Sequence, residues 1–228
     1  LPFTIKHQPK KLSEVIGQDS SLSSIKNYVL NYKKQKKKAA LLYGPTGTGK
    51  TSSVYALAKE LNLELIEINA SDTRNKDQIE QKVGSASKQM SLFSKGKIIL
   101  VDEIDGLAGR QDRGGIPTLI RLIKTSTFPF ILTTTNPWDT KLSSLRNKSD
   151  LIKFDSLDTK ALFTILNNIS KKESLQTPEK TLKTLARISA GDARAAITDL
   201  ETIAYEKENI EELGEREKQE SIKTALTK

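Results

Sequence analysis

Eight residues, Gly44-Pro45-Thr46-Gly47-Thr48-Gly49-Lys50-Thr51, constrain this chain more than any other part of it. They fit the spacing G-x-x-x-x-G-K-S/T, the phosphate-binding loop of nucleoside triphosphatases. That pattern has physical content only between a strand and a helix, and both flanks qualify. Ala39-Ala40-Leu41-Leu42-Tyr43 reads as a short buried strand. Val54, Leu57, Ala58 and Leu61 fall at i, i+3, i+4 and i+7, one face of a helix. The glycines let consecutive N–H groups turn inward around an anion. The helix N-terminus adds unpaired donors and the positive end of a dipole. Lys50 is then the cation for the β- and γ-phosphates, and the Thr51 hydroxyl a ligand for Mg²⁺. A glycine-rich turn that meets the pattern by chance is the competing reading, and the two correct flanks argue against it.

A chain of 228 residues can bury a substantial core and corresponds to one or two domains. It has no cysteine, which excludes disulfides, zinc-thiolate sites and thiol catalysis and fits a reducing compartment. No apolar run approaches the ~18 residues of a membrane span, and no signal peptide is visible. The chain starts at Leu1 rather than Met, as expected of a processed or trimmed N-terminus. Basic residues exceed acidic ones by nine, a balance that often accompanies a polyanionic partner. Part of that excess, Lys33-Lys34-Gln35-Lys36-Lys37-Lys38, lies between a predicted helix and the first core strand and reads as a solvated loop. At 5% aromatic residues, base stacking is not expected to be the main mode of nucleic-acid contact.

Five apolar runs read as strands: Ala39–Tyr43, Leu63–Ile68, Lys97–Val101, Phe130–Thr134 and Leu151–Phe154. Helical periods separate most of them. Ile116, Leu119, Ile120 and Ile123 mark one helix, with Pro117 in its first turn. Strands that alternate with helices predict a RecA-like α/β fold, a five-stranded parallel sheet covered on both faces. After Phe154 the strand signals stop. Leu157–Ser170, Pro178–Ser189 and Ala193–Tyr205 read as three helices, a small lid domain. Thr177-Pro178-Glu179 starts one of them and Ala190-Gly191-Asp192 breaks the chain before the last. The expected organisation is a nucleotide-binding domain over residues 1–155, the lid over 156–205, and a charged tail over 206–228 that begins a further region.

Ile98-Ile99-Leu100-Val101-Asp102-Glu103 supplies the other half of a nucleotide site. Asp102 stands at the carboxyl end of a strand, where parallel sheets bind ligands. There it can hold Mg²⁺ directly or through water, and Glu103 is placed to act as general base on the attacking water. A buried strand ending in a solvated acidic turn is the plainer reading; beside the glycine loop, the paired carboxylates favour the catalytic one. Thr135 and Asn136, at the tip of the strand Phe130–Thr134, are both candidates to contact the γ-phosphate or orient the water. A Thr/Asn turn explains them equally well. Arg194, in Gly191-Asp192-Ala193-Arg194, either reaches the γ-phosphate and couples nucleotide state to the lid or is a surface arginine.

These elements, in this order, resemble the AAA+ ATPases. Asn69-Ala70-Ser71-Asp72-Thr73-Arg74 is similar to clamp-loader subunits of the replication factor C family. Asp105-Gly106-Leu107-Ala108-Gly109, Asp112-Arg113-Gly114-Gly115 and Asn136-Pro137-Trp138-Asp139 resemble the archaeal large-subunit type. Gln8-Pro9-Lys10-Lys11-Leu12 through Ile16-Gly17-Gln18 matches the segment that packs on adenine in that family, which implies adenine contacts for Ile16 and Gly17. Three positions depart from the family pattern. Gln8 replaces the usual arginine, Thr135 falls where the first-sensor asparagine stands, and Asn147-Lys148-Ser149 replaces the Ser-Arg-Cys triplet of small subunits. Lys148 is a point charge that cannot fork onto phosphate as arginine does, so the chain is not expected to serve a neighbour's site.

The resemblance implies an ATP- and Mg²⁺-dependent ATPase, active in a hetero-oligomer, expected to be a pentamer with small subunits. Such an assembly opens a sliding clamp and loads it onto primer–template DNA, in the cytoplasm at the nucleoid. The family's collar domain is absent, so the chain is expected to be the ATPase module of a longer protein. Arg110, Arg113 and Lys124 are expected to touch DNA phosphates, and Met90, Leu92 and Phe93, apolar side chains in a serine-rich segment, to face the clamp. Two other functions stay open on the sequence. One is an ATP-binding scaffold with little hydrolysis, against which Glu103 argues. The other is a different AAA+ machine, a helicase loader or a branch-migration motor, which would normally append a winged-helix domain.

Overall fold

The computed structural model describes residues 1–70, 80–81, 84, 96–108 and 114–206. Met90, Leu92, Phe93, Arg110 and Arg113 lie outside the described residues, as does the tail after residue 206. The five predicted strands are present as β1 (Ala39–Tyr43), β2 (Glu64–Asn69), β3 (Lys97–Asp102), β4 (Phe130–Thr134) and β5 (Ser149–Lys153). They form one sheet in the order β2-β3-β4-β1-β5, with every pairing parallel. Three of the expected strands shift their bounds. The second runs Glu64–Asn69 instead of Leu63–Ile68. Asp102 is the last residue of β3 rather than the first after it. The fifth strand starts two residues earlier than predicted and ends before Phe154, because Ser149 and Asp150 pair with Ala39 and Ala40.

Helices α1 (Phe3–Lys6), α2 (Asp19–Leu30), α3 (Lys50–Glu60), α4 (Gly115–Thr125), α5 (Ser143–Lys148), α6 (Thr159–Lys172), α7 (Glu179–Ile188) and α8 (Ala193–Glu206) complete the described architecture. Along β1 and β3 the side chains alternate between two cores, as the two-residue period of a strand requires. Ala40, Leu42, Ile98 and Leu100 meet Ile25, Tyr28, Val54 and Leu57 of α2 and α3 on one face. Ala39, Leu41, Ile99 and Val101 meet Ile116, Leu119 and Ile123 of α4 and Leu145 of α5 on the other. Strands covered on both faces carry no polar alternation, which is why β1, β3 and β4 read as continuous apolar runs.

The chain divides into two compact units. The sheet unit takes residues 9–45 and 49–155. The helical unit takes residues 1–8, 46–48 and the chain from Ser156 onward. The first eight residues, placed with the sheet by the sequence reading, therefore belong to the helical unit. The reason is the buried Phe3, 1% exposed. Its N–H donates to the Glu201 carboxylate at 3.1 Å, and its ring meets His7 and Tyr205. Glu173, after α6, binds both Lys6 and His7, and the Lys6 ammonium holds its carboxyl below the usual glutamate range. In the same unit Leu162, Leu166, Leu182, Leu185, Ala196 and Leu200 form the interior of α6, α7 and α8. Asp158 caps α6 by accepting from the Ala161 N–H at 2.6 Å.

In the sheet unit the lysine run is largely exposed, as a solvated loop would be, with Lys33, Lys34, Lys36 and Lys37 on the surface. The Lys37 ammonium donates to the Ser149 carbonyl at 3.0 Å. Lys38 lies over the Tyr32 ring and reaches the Tyr32 and Lys33 carbonyls. The Lys37 bond ties the segment to the start of the edge strand β5, and the Lys38 contacts fold it back on the residues after α2.

Candidate nucleotide site

Parallel strands end on one side of the sheet, and the residues that follow β1, β3 and β4 carry the predicted chemistry. Gly44 leaves β1 with φ +141°, and a Cβ there would stand 2.0 Å from the Phe154 carbonyl oxygen. Phe154 itself donates its N–H to the Tyr43 carbonyl at 2.7 Å. The first residue of the loop is thus glycine because the end of β5 leaves no room for a side chain. Gly49 precedes α3 in the left-handed region, and Val15 approaches it from the N-terminal segment.

Lys50 opens α3, and its ammonium rests on the Gly44 and Pro45 carbonyls at 2.8 and 2.7 Å. The Thr51 hydroxyl lies 3.0 and 3.2 Å from the two carboxylate oxygens of Asp102. This brings together residues 51 positions apart that the sequence reading assigned to one cation. A hydroxyl beside a single carboxylate is oxygen chemistry suited to Mg²⁺, which prefers few protein ligands and completes its shell with water and phosphate. Among the described residues no three of His, Cys, Asp and Glu stand together as a denser metal site.

Glu103 follows with φ +55°, a left-handed conformation uncommon outside glycine and asparagine. Its side chain is exposed. What holds the backbone there is Thr133, one residue before the end of β4 and 2% exposed. The Thr133 hydroxyl accepts the Glu103 N–H at 2.9 Å and donates to the Asp102 carboxylate. One hydroxyl therefore orients both acidic residues. The sequence points to the strand tip rather than to Thr133, because nothing local distinguishes Thr133, Thr134 and Thr135. The signal lay in the strand period combined with register. Val101 faces Leu132 across β3 and β4, so the next pair sets Asp102 beside Thr133.

The two tip candidates are engaged differently. The Thr135 N–H donates to Asp105 at 2.9 Å, and the Thr134 hydroxyl reaches the other oxygen of the same carboxylate at 2.6 Å. The Asn136 side chain accepts from the Trp138 N–H at 3.0 Å, closing a local turn. Both residues are exposed. Ile16 and Gly17 form the turn before α2, with Gly17 at φ +81°. The neighbouring Gln18, 4% exposed, anchors that turn by donating to the Asp155 carbonyl at 2.7 Å. Lys124 is exposed in the last turn of α4. In the helical unit Thr46, Gly47 and Thr48 lie with the start of α8, whose second residue is the exposed Arg194. Asn147 and Lys148 end α5 in exposed positions, and Ser149 is buried at the start of β5.

Comparison with known proteins gives this arrangement a family. The family model of ATPases associated with various cellular activities, AAA, matches residues 40–155. That of the RCF1/5-like AAA+ ATPase lid domain matches residues 164–205. The chain is similar to the replication factor C large subunit of Nanoarchaeum equitans, 48% identical over 231 residues, covering 99% of this chain and 54% of that one. It is also similar to the replication factor C large subunit of Staphylothermus marinus, 44% identical, covering 90% of this chain and 49% of that one. The chain spans about half the length of these relatives. A solved structure of a RuvB mutant from Thermotoga maritima matches with a TM-score of 0.68 at 22% identity, covering 86% of this chain and 65% of that chain. At that identity the likeness concerns the fold alone. With half of its residues matched by the AAA ATPase model and a lid of the same class matched after them, the chain belongs to the AAA+ ATPase family.

Proposed function

We propose that this chain is the nucleotide-hydrolysing part of a clamp-loader large subunit. It binds ATP with Mg²⁺ and, assembled with small subunits into a pentamer, opens a sliding clamp and loads it onto primer–template DNA. The observation that carries the chemistry is the Thr51–Asp102–Thr133 cluster with Glu103 beside it. Similarity to replication factor C large subunits over almost the whole chain carries the choice of machine. The site of action is the cytoplasm at the nucleoid. Among the described residues no helix is long and apolar enough to cross a membrane.

Each residue has a separable task. The loop N–H groups from Gly44 to Thr51 bind the phosphates, with Ile16 and Gly17 toward the base. Lys50 exchanges its carbonyl partners for β- and γ-phosphate oxygens. Thr51 and Asp102 hold the cation. Bound Mg²⁺ neutralises charge on the phosphate oxygens as the terminal phosphoryl group transfers. Glu103 orients the attacking water and accepts its proton, and Thr133 fixes the backbone that carries Glu103 together with the Asp102 carboxylate. Thr135, Asn136 and Arg194 are assigned to the terminal phosphate. An arginine from an adjacent subunit completes the site. Arg110, Arg113 and Lys124 are assigned to DNA phosphate, and Met90, Leu92 and Phe93 to the clamp.

The test is affinity purification of the tagged chain from its own cells with ATP and Mg²⁺. The expected companions are a ring-shaped clamp and small AAA+ subunits. Recovery of ATP-bound protein with neither would overturn the clamp-loader assignment.

A further inference from the structure

The tip of the phosphate loop, Thr46–Thr48, belongs to the helical unit, and one side chain explains why. Asp192 precedes α8 and uses its two carboxylate oxygens for different purposes. Oδ1 accepts the Ala195 N–H at 3.0 Å, capping the helix. Oδ2 accepts the Thr46 hydroxyl at 3.2 Å. The next residue, Ala193, donates its N–H to the Gly47 carbonyl at 3.0 Å. The carboxylate also lies against the bare Cα of Gly47. A Cβ there would stand 1.7 Å from Oδ1 and 2.3 Å from Cγ. These contacts take a hydroxyl and a carbonyl of the loop and consume none of its N–H groups. The loop tip is therefore held through a hydroxyl and a carbonyl rather than through its N–H groups.

We propose that Asp192 is a positioning residue for nucleotide binding, holding the loop tip at Thr46 and Gly47 in the conformation that presents its N–H groups to phosphate. The inference rests on the nucleotide-binding reading above and adds a residue that the glycine-loop motif does not contain. It also gives Gly47 a second reason to be glycine. Besides its φ of +65°, the position must leave space for the Asp192 carboxylate. Aspartate suits the role because it has two acceptors. Serine offers a single oxygen on Cβ, enough to cap α8 but too short to reach Thr46 as well.

That difference separates a clamp from a helix cap. Asp192→Ser is expected to melt close to wild type, since serine caps about as well as aspartate. It should nevertheless bind Mg²⁺–ATP about two- to tenfold more weakly, the effect of one hydrogen bond. Thr46→Val should weaken binding by a similar factor. The double variant should bind no worse than Asp192→Ser alone, because both remove the same contact. Asp192→Asn keeps an acceptor for Ala195 and a polar group for Thr46, so it should restore binding. Wild-type affinity in Asp192→Ser together with a lowered melting temperature in Asp192→Ala would reduce Asp192 to a cap and overturn the proposal. Additive losses in the double variant would overturn it too. Failure of the underlying reading has a separate signature. Wild-type protein would then bind no ATP, or Lys50→Ala would bind it normally.

Discussion

Thr133→Val is the perturbation that most directly tests how the acidic pair is held. Valine matches threonine in volume, so it opens no cavity in β4. What it removes is the hydroxyl of a residue 2% exposed, which satisfies two groups at once. Asp102 loses a donor to its carboxylate, a bond worth about 1.5–3 kcal/mol when one member is charged. The Glu103 N–H loses this acceptor, a neutral bond worth about 0.5–1.5 kcal/mol. The two losses share one oxygen and do not add in full, so the expected destabilisation is about 2–4 kcal/mol. For a chain of this size that lowers the melting temperature by about 5–15 °C. Melting followed by circular dichroism reads this directly. Glu103 sits in a left-handed conformation that this bond supports, so turnover of the assembled ATPase should fall more than ATP affinity. Thr133→Ser keeps the hydroxyl and should recover most of both. Two results would refute the reasoning: Thr133→Val melting and turning over like wild type, or Thr133→Ser failing as badly as valine.

Glu103→Gln should keep ATP binding and lose turnover in the assembly, because the amide cannot take the water's proton. Lys50→Ala should lose binding itself, and normal turnover in the Glu103→Gln assembly would contradict the mechanism. The isolated chain should hydrolyse ATP slowly, since an arginine supplied by a neighbour contributes ~10³–10⁵ in rate to related reactions; fast turnover by purified monomer would remove the need for assembly. Lys124→Glu should weaken DNA binding by the assembled loader uniformly across sequences and lower the salt slope by about one, and an unchanged slope would strike Lys124 from the DNA surface. Glu60 accepts from the Lys26 ammonium and from the Leu12 N–H, and these bonds lower its pKa from the ordinary 4.5. A carboxyl depressed by folding contributes stability above its ordinary value, and that contribution is lost as pH falls through the folded value. Urea melts between about pH 6 and pH 3 should therefore show a shallower acid loss for Glu60→Gln than for wild type, and identical slopes would dismiss the pair.

Local pattern determined much of this protein before any tertiary contact is considered. The phosphate loop is legible because glycine spacing, a preceding apolar run and a following helical period act within some twenty residues. The strands were legible for the same reason, and so was Asp102-Glu103, since two carboxylates after a buried strand are conspicuous. The three helices after Phe154 were legible from their periods and from Pro178 and Gly191. Tertiary structure decided what depends on partners distant in sequence. Parallel pairing set Thr133 rather than Thr135 against Asp102, a choice among three consecutive threonines that composition cannot make. Burial of Phe3 against Tyr205 and His7 drew the first eight residues into the helical unit, although four helical residues carry too weak a period to announce a partner. The carboxylate of Asp192 against Gly47 spans 145 positions and needs a bare Cα at one end and a two-oxygen carboxylate at the other. Sequence shows each residue type singly, but only folding brings the two within contact, because a side-chain hydrogen bond forms at about 3 Å whatever the length of chain between its ends.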